Sequence, residues 1–531
     1  MGADKVPGMA RIVVIGAGMG AMTAAARLAV AGHRVVVHER TGTYGGALGR
    51  VRRDGFGFDT GPSLLHLPAV YRDLFVKTGK QPLEDCVELS QVEPAVRHVF
   101  ADGTATDLPN ASRAGVGEAL DAALGAGAGA RWAAFMNRAR EAWDRTRRPL
   151  LEEPLWPNWQ VLAEREPYPS VAHKRLLRRE RRAVTLAQVA EFELAGEPRL
   201  TALLEHFALA RGLDPRTAPA SAAVLPYMEQ TFGSWSARGG MRALATAVYE
   251  RCLARRVEFA FDSAVVRVVE KDGRAAGVEL ADGSVVAADF VVAGVPPRAL
   301  AALLSGGTAA RAPEDVPARS GLPSRLTVLL ALRGGRPQGT PHRTVLHTAD
   351  RADELDRVFT TPGTPGAPAS MGSPAPTDAP ASPGAPALAV SPTLTVLRPD
   401  DPTAVPDADH EAVTLTATVA AGAEVTDADV RRLLDRASTA VPGLADRLLW
   451  HEVRTPADLA EATGAEGGAV PPPALAADSG RRLHPANSTA VSGLYAVGGW
   501  SHPGGGLPHA GMSGTLVAGL IVEGPEFRGS Q

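Results

Sequence analysis

Val13-Val-Ile-Gly-Ala-Gly-Met-Gly-Ala21 is the stretch that decides how this chain folds. It is entered by Arg11 to Ile15, an apolar, β-branched run that fits a parallel strand buried on both faces. It opens into Gly20 to Ala31, alanine-rich and therefore helical in preference. Gly16 allows a tight turn, and Gly18 lets backbone amides approach a pyrophosphate. Gly20 and Ala21 keep the helix entry small, with Ala21 at the third small position where helix meets strand. The first amides of such a helix lack internal partners and carry the positive end of its dipole, which suits phosphate. Arg34 to His38 predicts a second strand, and Glu39 ends it where a carboxylate can accept hydrogen bonds from a ribose. Strand, helix and strand make a right-handed βαβ unit, so the fold class is α/β with a Rossmann-like dinucleotide site.

Two distant segments complete that unit. Ala264 to Glu270, the turn Lys271-Asp272-Gly273 and Ala276 to Leu280 predict a hairpin. A turn at Ala281 to Ser284 continues it to Val285–Ala287, and Asp289 to Ala293 follows as a strand. Near the end, Leu494 to Val497 is a short apolar run that stops at Gly498-Gly499. A loop with Gly504, Gly505 and Gly506 follows, and a small-residue helix is predicted from near Met512 to about Val522. So many glycines forfeit backbone entropy, which makes sense where the backbone must approach something closely. The predicted dinucleotide-binding domain therefore combines 9–85, 235–299 and 485–525, and a second domain combines 86–234 and 300–484. Pro82 to Gly233 reads as largely helical, and Leu300 to Ala490 mixes strands with helices. Residues 360–391 are almost entirely Pro, Ala, Gly, Ser and Thr, and read as a flexible insertion.

Composition narrows the classes. The net charge of −3 gives no reason to expect nucleic acid as a partner. Cys86 and Cys252 carry no metal-ligand spacing and read as two reduced thiols, with a disulfide as the alternative. Neither a signal peptide nor a membrane span is visible, so a cytoplasmic protein is expected. Peripheral contact with the inner membrane face stays open. His173-Lys-Arg-Leu-Leu-Arg-Arg-Glu-Arg-Arg182, near Trp156 and Trp159, reads as a solvated helical face, with an anionic membrane as the second reading. Nothing in the chain specifies an oligomeric state.

Tyr44-Gly45-Gly46 and Gly55-Phe-Gly-Phe-Asp-Thr-Gly-Pro-Ser63 follow the βαβ unit. With these the chain resembles the FAD-dependent amine oxidase superfamily, in which a Gly-Gly pair continues the FAD site. More narrowly, Gly55 to Pro62 and His502-Pro-Gly-Gly-Gly-Leu-Pro508 with Ser513-Gly514 are similar to the phytoene desaturase (carotenoid and retinoid oxidoreductase) group. The resemblance implies a glutathione-reductase-type FAD domain with an interleaved α+β substrate domain, and non-covalent FAD. Its cofactor contacts would fall on Gly16, Gly18, Gly20, Ala21, Glu39, Arg40, Gly45, Gly46, Gly61, Pro62, Ser63, Gly498, Gly499, Gly504, Gly505 and Gly506. Val265 would meet the adenine side through its backbone. Met512 and the free amides of Gly511 to Ser513 would face the flavin N1–C2 edge. Many members have an arginine directly after the early Gly-Gly; here Ala47 and Leu48 follow, so either Arg50 substitutes or that contact is absent.

The reaction the resemblance implies is hydride transfer from a hydrophobic isoprenoid or carotenoid-like substrate to flavin N5. Trp500-Ser-His-Pro503 stands where amine oxidases usually carry an acidic residue, which argues against amine substrates. His502 is the candidate general base, with loop positioning as its other reading. A flavin amine or amino-acid oxidase, a non-catalytic FAD-binding escort protein and an isomerase using reduced flavin are the alternatives.

Overall fold

Side chains alternate across the first strand, and this alternation builds both faces of the nucleotide half. In the computed structural model, which describes residues 8–155, 159–172, 180–304, 321–359 and 388–529, the strand is Arg11–Ile15. Ile12 and Val14 point to one face, where they join Met22, Leu28, Leu244, Val248, Val517 and Ile521. Val13 and Ile15 point to the other, joining Val268, Val278, Val291 and Leu494. Each such side chain contributes about 1.5–3 kcal/mol on burial. That burial holds helices such as Met19–Val30, which at 12 residues would be marginal alone.

The sheet has five parallel strands in the order Glu258–Ala260, Arg34–His38, Arg11–Ile15, Phe290–Ala293 and Leu494–Ala496. One face carries the helices Met19–Val30, Met241–Ala254 and Leu507–Val522. The other carries the antiparallel meander Val265–Lys271, Arg274–Leu280 and Val285–Ala287. At its first turn both Asp272 and Gly273 have positive φ, as a two-residue hairpin loop of the I′ kind requires. This is the α/β dinucleotide-binding fold expected from the glycine turn.

A second sheet lies opposite. Its order is Leu448–Arg454, Pro323–Arg333, His410–Ala420, Leu394–Leu397, Arg343–Leu346, Val96–Val99 and Ala105–Leu108. All neighbours are antiparallel except Arg343–Leu346 with Val96–Val99. Leu326, Val328, Leu330, Val413, Leu415, Ala417 and Val419 form a core with Leu433 and Ala437 of the helix Asp427–Ala437. Helices between 113 and 232 make a further core around Trp132, Phe135, Leu203 and Leu204.

The segment expected as an insertion falls, over 360–387, outside the described residues, as does the basic run over 173–179. Among the described residues no helix is long and apolar enough to cross a membrane. Both cysteines are free thiols, Cys86 exposed and Cys252 buried. One boundary differs from expectation. The last helix starts at Leu507, five residues before Met512, because Gly506 with φ 114° ends the loop and Pro508 suits a first helical turn.

Candidate active site

The glycine turn is held open by backbone bonds and by one side chain, Glu39. Gly16 has φ 88°, its amide donates to the His38 carbonyl at 2.8 Å, and a Cβ there would lie 3.3 Å from the Gly294 carbonyl oxygen. Gly18 precedes the helix Met19–Val30, which has neither a side-chain cap nor an acidic residue in its first turn. Its first amides therefore remain for an anion. Gly45 donates to the Ala17 carbonyl at 2.8 Å, laying the second glycine pair against the turn. A Cβ on Gly46 would come within 3.0 Å of Gly18 Cα.

Glu39 is aimed by the same turn. One carboxylate oxygen accepts from the Ala17 amide at 2.8 Å, the other from the Thr41 amide and hydroxyl at 2.9 Å. Arg242, which sequence reasoning passed over, pins the neighbouring loop. It donates to the carbonyls of Tyr44 and Leu48 and to the Thr43 hydroxyl, and its guanidinium lies 4.2 Å from the Tyr44 ring centroid. The motif residue Asp59 accepts from the Met241 amide at 2.8 Å, capping the helix that presents Arg242. Arg50 reaches this cluster too: burial depresses its guanidinium, opposed by the charge of Asp59, and it donates to the Thr403 carbonyl.

One cavity of about 1940 Å³ joins these groups to the second sheet. The structure brings Gly16, Gly18, Gly20, Ala21, Glu39, Arg40, Gly45, Gly46 and Arg50 to its wall. Gly61, Pro62, Ser63, Val265, Gly498, Gly499, Gly505 and Gly506 line it as well. Three expected residues stand elsewhere. Gly504 packs against Ala474 and His484, where a Cβ would come within 2.7 Å of the Ala474 amide nitrogen. Met512 lies beyond the cavity wall, because the helix begins earlier and turns it away. The amides of Gly511 to Ser513 are likewise inside the helix; those of Leu507 and His509 lie in its uncapped first turn, and this turn lines the cavity.

His502 is also outside the lining. It is fully buried, its Nε2 lies 3.1 Å from the Glu153 carbonyl oxygen, and burial pushes it down to about 4. His509 is the histidine of this loop that reaches the cavity; burial, then Arg211, push it down to about 3. Behind the loop, Asn487 donates to the carbonyls of Ala496 and His502 and to the Ser513 hydroxyl, which accepts from the Gly498 amide. This network ties the glycine pair to its helix.

The far wall was not anticipated. Thr327, Thr395, Thr414, Thr416 and Thr418 face the cavity, opposite the apolar face of their sheet. The alternation Ala412-Val-Thr-Leu-Thr-Ala-Thr-Val-Ala420 was the signal available for it. Beside it, Glu229 accepts from Arg211 at 2.8 Å and from Arg343, with His66 Nε2 at 3.6 Å. Burial alone would raise Glu229, but Arg343, His66 and Arg211 outweigh it and hold the carboxyl well below its usual range. His66, chiefly through burial, is pushed down to about 4. These four residues come from four separate segments, so no local pattern reveals them.

The family model for flavin containing amine oxidoreductases matches residues 22–334, more than half of the chain. The chain belongs to this family. Two curated relatives of this flavoprotein carry the names of carotenoid-modifying enzymes. A 4,4'-diapolycopene oxygenase of Methylomonas sp is 29% identical over 96% of this chain and 98% of its own length. A zeta-carotene-forming phytoene desaturase of Myxococcus xanthus is 32% identical over 53% of this chain and 52% of its own. Among solved structures, cyclohexylamine oxidase from Brevibacterium oxydans IH-35A superposes with a TM-score of 0.58 at 16% identity. It covers 97% of this chain and 99% of that one, a likeness of fold alone. The flavoprotein is thus an FAD-dependent oxidoreductase of the phytoene desaturase type.

Proposed function

We propose that this flavoprotein desaturates, or otherwise oxidises, a hydrophobic isoprenoid of carotenoid-like structure. The observation that carries this reading is the single cavity running from the glycine turn and Glu39 to the threonine-faced sheet. Its first part fits FAD: an anion-ready helix start, a carboxylate aimed at a ribose, and glycines whose missing side chains leave room for close approach. When bound, FAD supplies the two-electron acceptance that removal of an allylic hydride requires.

The chain's own residues do the rest. Glu39, Gly18 and Gly46 would hold the nucleotide end, and Arg242 fixes the loop over it. Gly498, Gly499, Gly505 and Gly506 would allow a flat ring to lie against the backbone. The uncapped amides at Leu507 and His509 would favour negative charge at the ring edge nearest them. Trp500 lines the cavity beside Gly499, where it would flank the substrate. His502, enclosed and away from the wall, would position the loop rather than exchange protons with substrate. Contact with a membrane surface belongs to this reading as a route for a lipid-phase substrate.

The test is anaerobic mixing of the FAD-loaded protein with phytoene and with longer polyenes in detergent. Bleaching of the flavin with a matching rise in product conjugation is expected. Pigment extraction after co-expression with a phytoene-producing pathway gives the same answer in cells. An unchanged phytoene pool beside folded, FAD-loaded protein would exclude phytoene, and peroxide release with amines would move the enzyme to the amine oxidases.

A further inference from the structure

A cation without a carboxylate stands in the substrate half of the cavity. Arg325 lies on the cavity face of the strand Pro323–Arg333, two residues from Thr327. It donates from Nη1 to the Thr418 hydroxyl at 2.6 Å and from Nη2 to the Ala210 carbonyl. Both acceptors are neutral, and among the described residues no carboxylate forms an ion pair with it. The charge that acts on it is another cation: burial, then Arg211, push the guanidinium down to about 10. Arg211 and Arg343, by contrast, share Glu229. One carboxylate therefore serves a corner holding three guanidinium groups, since His66 is neutral at physiological pH.

The surroundings are built for hydrogen bonding. Arg343 Nε and His509 Nδ1 are buried with no partner among the described residues. Strand register places Thr327 opposite Thr416 and Thr416 opposite Thr395, giving a row of hydroxyls beside Arg325. A wall meant only for hydrocarbon gains nothing from these groups. A buried charge is retained where something compensates it. Arg325 uses two of its five N–H donors on Thr418 and Ala210, which leaves three for a ligand.

We propose that this corner binds the anionic end of the substrate: an apolar polyene chain ending in a carboxylate, which Arg325 receives beside the threonine row. Arg325 is the guanidinium of this corner that has no carboxylate of its own, so it would receive that end, and the hydrophobic chain would run from it toward the glycine loop. This assignment rests on the polyene reading above and narrows it.

The experiment uses FAD-loaded protein and three probes: all-trans-retinoic acid, its methyl ester and geranylgeranyl diphosphate. Binding is followed through perturbation of the flavin absorbance. The acid should bind at least about tenfold tighter than the ester, and this preference should vanish in Arg325→Met and partly return in Arg325→Lys. The ratio in the unaltered protein decides the matter even if Arg325→Met fails to fold. Equal binding of acid and ester overturns the proposal while leaving the polyene reading intact; binding of no probe overturns both. Tighter binding of the diphosphate also overturns it. So does a lower flavin midpoint potential in Arg325→Met with the acid preference unchanged, since the charge would then serve the flavin.

Discussion

The two ends of the cavity are built by opposite means. At the nucleotide end, function comes largely from backbone: Gly16 makes the turn, Gly18 opens an uncapped helix, Gly46 packs on Gly18, and Glu39 adds a carboxylate held by backbone amides of Ala17 and Thr41. At the substrate end, function comes from side chains collected over long distances, with Glu229, Arg211, Arg343 and His66 meeting in one buried cluster. Backbone sites are made of local sequence and tolerate replacement of many neighbours. Buried charge clusters depend on every member, because removing one strands the others. The two ends should therefore fail differently.

The largest expected effect is at the substrate end. Glu229→Ala leaves Arg211 and Arg343 buried without their shared carboxylate, which should cost about 3–5 kcal/mol. Chemical denaturation of the FAD-loaded protein measures this. A loss below about 1 kcal/mol would show that solvent reaches the cluster and that the contrast between the two ends is weaker than drawn.

Acid should separate the ends next. Burial pushes His66, His342 and His502 down to about 4, and His347 and His509 to about 3. Each is neutral when folded but charges when unfolded below its ordinary value near 6.5, so the unfolded chain binds more protons. Stability should fall as pH drops from about 6.5 towards 4, by up to about 1.4 kcal/mol per pH unit for each histidine. Glu229 acts lower: its depressed carboxyl stabilises the fold above the ordinary value near 4.5, and that contribution is lost as pH falls further. Melting temperature followed from pH 7.5 to 5 should decline steeply. A flat profile would mean that these histidines are hydrated.

The difference in construction also explains what could be read in advance. The turn at Gly16, the acidic end of the second strand and the Asp272-Gly273 hairpin are local patterns, and each is legible as residue order. The start of the last helix was misplaced because the glycine at 511 argues against helix, whereas packing decided it. A Cβ on Gly514 would lie 2.4 Å from the Gly20 carbonyl oxygen, so the missing side chain is what lets these two helices approach. Propensity yields to such contacts. The Glu229 cluster has no local signature at all, and the threonine row had one, in 412–420, that a search for period-two alternation would have found.

At the nucleotide end a smaller, ligand-specific effect is expected. Glu39→Gln keeps the size of the side chain but removes its charge and one acceptor oxygen. Loss of a charge-assisted hydrogen bond should weaken FAD about ten- to hundredfold, or about 1.5–3 kcal/mol, with little change in the apo fold. Flavin fluorescence on reconstitution gives the dissociation constant. A large loss of apo stability instead would mean that the bonds to Ala17 and Thr41 are the residue's main work.

The smallest effect is expected where the sequence offered its most tempting catalyst. His502 has the residue type of a general base and sits in the right motif, yet its ring is enclosed and points to the Glu153 carbonyl. With its basicity lowered by burial and no face on the cavity, it is a weaker base than a free imidazole and is set back from the cavity. Glutamine can reproduce the donor to Glu153, so His502→Gln should keep turnover within about twofold and cost about 1 kcal/mol or less in stability. The pH profile of turnover should also stay in place. A hundredfold fall in turnover with the flavin still bound would reverse this and would make the C-terminal loop a side-chain site like the far wall, rather than a backbone site like the glycine turn.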